Sequence, residues 1–154
     1  MSFEKQQLEL ANWRRRALTA ARFVPRNRAN LETIRGADYY TVYANQGGDG
    51  EGNRIAWLAI ASPDYHVTFM IWPDDLDKIL KVRDARWEDR TTIRIGMVHL
   101  SPSFWSMEES GLSILAGHDD EAWSLALTLP APMLGRIITA LEPLRRYLED
   151  TRPR

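Results

Sequence analysis

The stretch Gly111–Asp150 constrains the fold of this chain more than any other, because its apolar spacing changes period part way along. Trp123, Leu125, Leu127 and Leu129 alternate with Ala122, Ser124, Ala126 and Thr128. A period of two lines the large apolar side chains along one face of a strand. Pro130 and Pro132 stop that strand, and Pro132 falls near the first turn of a helix, where a missing N–H is tolerated. From Met133 the period changes: Leu134, Ile137, Ile138, Leu141, Leu144 and Leu148 recur at intervals of three and four, an apolar stripe on a helix over 132–150. A one-faced strand and a one-striped helix bury both surfaces by packing on each other, so Leu125, Leu127, Ile137, Ile138 and Leu141 are expected to share a core.

The same criteria place elements upstream. Residues 3–22 predict a helix with Leu8, Leu10, Trp13, Ala17, Leu18 and Ala21 on its apolar side, interleaved with arginines and ended by Pro25. Asp38–Ala44, dense in tyrosine, predicts a strand. Asn45–Asn53, with glycines at 47, 48, 50 and 52, predicts a long loop. Strands are expected at Arg54–Ala61, Tyr65–Trp72 and Thr91–Leu100, and a helix over 73–87. Ser101-Pro102-Ser103 reads as a break and Phe104–Met107 as ambiguous. Leu112–Ala116 and Ala122–Leu129 form a last hairpin.

Short strand-to-strand connections require antiparallel pairing. The expected fold class is therefore α+β: an antiparallel, meander-like sheet of five to six strands, with an N-terminal, a middle and a C-terminal helix packed on it. The chain of 154 residues is long enough for one domain with a substantial core. That domain divides into a basic helical segment (1–36), a sheet with an inserted helix (37–129) and the C-terminal helix (132–150). Several strands carry apolar groups on both faces. The helices cover one face, and a second copy in a homodimer is the expected cover of the other.

Composition removes whole classes of chemistry. The chain has no cysteine, which excludes disulfides, thiolate metal sites and cysteine nucleophiles. No apolar run approaches membrane-spanning length and the N-terminus lacks a signal-peptide core, so a cytoplasmic protein without membrane partners is expected. All but three of the basic residues are arginine, a bias that points to a GC-rich bacterium or its phage.

The motifs are equally sparing. The Gly47–Gly52 cluster lacks a following Gly-Lys-Ser/Thr and runs into a strand rather than a helix N-terminus, so it reads as a hairpin loop, not a phosphate cradle. His66, His99 and His118 have no second histidine at metal-ligand spacing, although His66 and His99 lie in expected strands and could meet across the sheet. His118-Asp119-Asp120-Glu121 reads as the turn of the last hairpin. No serine-nucleophile motif is present. No catalytic, metal or cofactor-binding residue is assigned, and no cofactor is expected.

Two features remain. Residues 1–36 carry eight basic residues against three acidic ones, while the rest of the chain is net acidic. Arg14, Arg15, Arg16 and Arg22 are the candidate contacts of that segment, to a protein partner, to nucleic acid or to the chain's own acidic part. Of six tryptophans, Trp57 and Trp123 sit mid-strand and are expected in the core, while Trp87 and Trp105, near loop ends, are the candidate partner-binding pair. The expected function is a non-enzymatic protein-interaction module of inhibitor, immunity or adaptor type. The alternatives are a nucleic-acid-binding module that uses the basic segment, and an enzyme or small-ligand binder with a dispersed site.

Overall fold

The computed structural model describes residues 36–63 and 65–150. A 3₁₀ turn at Gly36–Tyr39 leads into seven strands: β1 (Thr41–Gly48), β2 (Arg54–Ala61), β3 (His66–Ile71), β4 (Ile93–Val98), β5 (Ser101–Glu108), β6 (Gly111–Gly117) and β7 (Trp123–Leu129). Every neighbouring pair is antiparallel and the spatial order follows the chain order, so the sheet is a pure meander. Helix α1 (Asp75–Ile79) and a 3₁₀ turn at Val82–Asp84 join β3 to β4. After β7 come α2 (Met133–Leu141), a 3₁₀ turn at Glu142–Leu144 and α3 (Arg145–Glu149).

Register and alternation give the sheet two distinct faces. Ala56, Leu58 and Ile60 of β2, Phe69 and Ile71 of β3, Trp105 of β5, Leu112, Ile114 and Ala116 of β6, and Leu127 and Leu129 of β7 point to the inner face, where they form one core with the helices. Helix α2 begins at the β7 edge yet packs on β1 and β2. Its Met133, Leu134, Ile137 and Leu141 are buried, and Arg136 Nη1 donates to the carbonyl of Ala37, fastening the entry to β1. The core expected between the last strand and last helix is present: Leu127, Ile137 and Leu141 are buried in it, and Leu125 and Ile138 pack against it half-buried. Leu127→Ala is expected to cost about 2–4 kcal/mol, the usual price of a large-to-small change in a packed core, read as a lower denaturant midpoint at constant slope.

Three expectations change. The sheet has seven strands rather than five or six, because Ser101–Glu108 is a strand and not a break. Pro102 is accommodated opposite Met97, beside a register shift between Arg94 and Met97, where the ladder is irregular. The helix expected over 73–87 is one α turn plus one 3₁₀ turn. Of its expected stripe Leu76, Ile79, Leu80 and Val82, the three residues at steps of three, the 3₁₀ repeat, are buried, while Leu80 is exposed. The helix over 132–150 is broken at Glu142–Leu144, where Pro143 supplies no N–H to an α-ladder. The helix expected over 3–22 lies outside the described residues.

Strand β1 runs on through Gly47 and Gly48, which pair with Ile55 and Arg54, so the glycine-rich loop shrinks to residues 49–53. Among the described residues no helix is long and apolar enough to cross a membrane.

Candidate functional site

The outer face of β1–β3 carries an open set of aromatic side chains. Tyr43, Asn45 and Gly47 of β1 stand opposite Ala59, Trp57 and Ile55 of β2; Trp57 and Ala61 in turn stand opposite Met70 and His66 of β3. Tyr43 and Trp57 are 44% and 37% exposed, although residues of their size are usually drawn inside a sheet protein. Tyr43 Oη lies 3.1 Å from His66 Nε2, and the two rings stack with centroids 6.2 Å apart and 20° between planes. These contacts hold both rings in one arrangement at the surface.

Trp57 is seated by a glycine. A Cβ on Gly47 would fall 2.3 Å from Trp57 Nε1 and 2.4 Å from its Cδ1, so the indole lies against the bare backbone of the edge strand. The carbonyl of Gly47 also accepts a 2.7 Å hydrogen bond from Tyr147 Oη of α3. Tyr147 is itself backed by Arg54, whose guanidinium carbon sits 4.8 Å over its ring and whose Nη1 lies 3.5 Å from Asp150 Oδ2. The last helix thus braces the strand on which Trp57 rests.

The loop at the end of this face is stapled by Asp49. Its Oδ1 accepts from the N–H of Glu51 at 2.7 Å and of Asn53 at 3.1 Å, and its Oδ2 accepts from Asn53 Nδ2 at 2.7 Å and from the Trp72 indole at 3.3 Å. The Asn53 amide first, then the Glu51 N–H, pull the Asp49 carboxyl down to about 2. A carboxyl with a depressed folded-state pKa stabilises the fold above its unfolded value of 3.8 and loses that contribution as pH falls toward 2. Acidification from pH 5 to pH 2 is therefore expected to release the loop before the core. The check is faster exchange of the Glu51 and Asn53 amides while those of β6 stay protected.

A second concavity lies at the β6–β7 hairpin, an open depression of about 510 Å³ lined by Ser101, Gly117, His118, Glu121, Ala122, Trp123 and Ser124. Asp119 Oδ1 accepts from the N–H groups of Glu121 and Ala122 at 2.8 and 2.7 Å. The Glu121 bond is the main cause of its lowered pKa. His118 Nδ1 sits 3.2 Å from Asp119 Oδ2 with its ring in solvent. These are the bonds of a turn, as the sequence implied. Among the described residues no three His, Asp or Glu side chains converge as metal ligands.

The residues singled out from the sequence separate. Arg14, Arg15, Arg16 and Arg22 lie outside the described residues. Trp87 is half-buried in a turn, with its N–H held by Glu108 Oε1 at 2.8 Å. Trp105 is fully buried, so its side chain offers no surface to a partner. Trp57, expected in the core, is the exposed one. Residue parity explains the exchange: in β2 the even positions point inward, in β5 the odd ones do. His66 bonds to Tyr43, while His99 occupies the exposed two-residue turn between β4 and β5 at φ +55°. The aromatic set Tyr43–Trp57–His66 was not assembled from sequence, although a tryptophan three residues beyond a strand's first position, with a glycine diagonally across in the partner strand, is the signal that marks it.

Comparison of the chain with protein-family models, with curated proteins and with solved structures finds no match.

Proposed function

We propose that the protein is a non-enzymatic interaction module, of inhibitor, immunity or adaptor type, that binds a protein partner through the outer face of β1–β3. The observation that carries this is the exposed, pre-arranged aromatic set: Trp57 seated on Gly47, with Tyr43 bonded to His66 beside it. Tryptophan and tyrosine held rigidly at a surface lose little conformational freedom on binding and dominate interface energetics. The same rings support a second reading, stacking of nucleic-acid bases on a sheet platform.

The test uses the intact protein and its Trp57→Ala variant as baits in an extract of the native host, followed by titration of the purified partner. Truncating a hot-spot tryptophan costs at least about 2 kcal/mol, so the variant is expected to bind roughly 30-fold more weakly while unfolding at nearly the parent midpoint. Equal affinity of both forms for the partner would remove this face from the interface. Micromolar, salt-steep binding of the intact protein to an oligonucleotide, lost in the variant, would favour the nucleic-acid reading.

A further inference from the structure

The outer face is open around Tyr43, Asn45 and Trp57, although Ile55 and Ala59 of β2 are buried there, and it is closed over β5–β7. Ser106, Ser113 and Thr128 stand side by side on one rung and Phe104, Leu115 and Ala126 on the next. Leu115 is 0% exposed, Ser106 and Ser113 1%, within a single copy of the chain. Ser113 Oγ has no hydrogen-bond partner among the described residues, so its burial is not that of a local polar network. The described helices are on the other side of the sheet: the buried apolar residues of α1, α2 and α3 all belong to the inner core. Two loops, 86–92 and 118–121, meet at one flank through Thr92 Oγ1 and Asp120 Oδ2 at 2.7 Å and through Arg90 and Glu121 at 3.9 Å.

We propose that this half of the outer face is the docking surface for the chain's own N-terminal segment, residues 3–22, and that the segment, not a second subunit, is its cover. Within that segment Leu10, Trp13, Ala17 and Ala21 recur at steps of three and four, an apolar stripe matched to Phe104, Leu115 and Ala126. Carboxylates border both ends of β6: Glu108 and Glu109 at one, Asp119, Asp120 and Glu121 at the other. They complement in charge the excess of basic residues in 1–36, which includes Arg14, Arg15, Arg16 and Arg22. Reach is sufficient. Residues 23–35 extend to about 43 Å, whereas β1 and β6 are five strand spacings apart, about 24 Å. On this view the basic segment is an internal clasp, and it is not a free arm for nucleic acid.

The absence of cysteine makes the test direct. Single cysteines are placed at Ser113 (closed outer face), Asn45 (open outer face) and Ile114 (inner core) of the full-length protein and timed with a maleimide. Ser113→Cys is expected to react at least about tenfold more slowly than Asn45→Cys, at a rate independent of protein concentration. Adding Leu10→Glu, Trp13→Glu and Ala17→Glu should release Ser113→Cys while Ile114→Cys stays protected. A second measurement changes the stripe by at most one residue at a time: Ser113→Cys is combined with a cysteine at Trp13, Ala17 or Arg15, and a short bis-maleimide is added. Linkage within one monomer from position 13 or 17, in excess of that from 15, is the expected result. Fast labelling of Ser113→Cys in the parent, protection that grows with concentration, or linkage only between chains would each overturn the proposal, the last two in favour of a second copy.

Discussion

Trp105→Ala is expected to be the most damaging single substitution in the described part of the molecule. The indole is wholly buried, and Phe69 meets it edge-on with centroids 5.6 Å apart and 66° between planes. Its Nε1 donates to Ser103 Oγ at 2.9 Å, and that hydroxyl donates to the carbonyl of Ile95. Ile95 lies in the stretch where the β4–β5 register shifts, so this relay satisfies a carbonyl displaced from the regular ladder. Removing the ring creates a cavity at the centre of the inner core and takes away the partner of a buried hydroxyl. A cost of about 3–5 kcal/mol follows, a large part of the roughly 5–15 kcal/mol that holds a typical domain together. The melting temperature should fall by roughly 10 °C. Trp105→Phe refills most of the volume but donates nothing, and should cost about 1–2 kcal/mol. Thermal and denaturant unfolding of the three proteins provide the check; an unchanged midpoint for Trp105→Ala would contradict the placement of this ring.

Gly96→Ala should match Leu127→Ala in cost, but through backbone strain and overpacking rather than a cavity. Gly96 sits at φ +58° within the same irregular stretch of β4. A Cβ there would lie 2.2 Å from the carbonyl oxygen of Met70 and 2.9 Å from Ile71 Cδ1. Met70 pairs with Met97 in the one bridge that joins β3 to β4, so the strand junction itself must open to admit the methyl. The buried carboxylate of Asp75 adds to the penalty. It bonds the N–H of Trp72 at 2.8 Å and that of Gly96, bonds that partly offset the burial raising its pKa. Left-handed strain and overpacking together should cost about 2–4 kcal/mol. Because Gly96 and Ile95 adjoin, the double variant with Trp105→Ala should lose less than the sum of the two, measurable as a coupling in a double-mutant cycle. Additive losses would mean that the bulge and the tryptophan relay are independent.

Much of the architecture was legible in the chain. The alternation over 123–129 and the stripe from Leu134 to Leu148 gave the last strand, the last helix and their shared core, since burying a one-sided apolar surface leaves few choices. Short, turn-rich connections gave antiparallel pairing and a meander-like sheet, while the exact strand order came from the structure. The strand Ser101–Glu108 was hidden by its Ser-Pro-Ser start, because a proline is read as a stop unless the register shift that accommodates it is known. The middle helix was overestimated because a stripe with steps of three fits an α-helix and a 3₁₀ turn about equally over two turns.

What the sequence determined by itself is the set of apolar periods, and through them the meander, the C-terminal helix and the lack of cysteine chemistry. What only the tertiary structure decided is which parity of each strand faces the helices. Alternation states that two faces exist, but the inward one is set by cross-strand register, by the bulges at Arg94/Met97 and Ala116/Gly117 and by where α2 lands on β1 and β2. That single choice sent Trp105 into the core and left Trp57 against Gly47 in the open. The candidate binding face therefore lies among residues whose types were plain in the chain and whose direction was not.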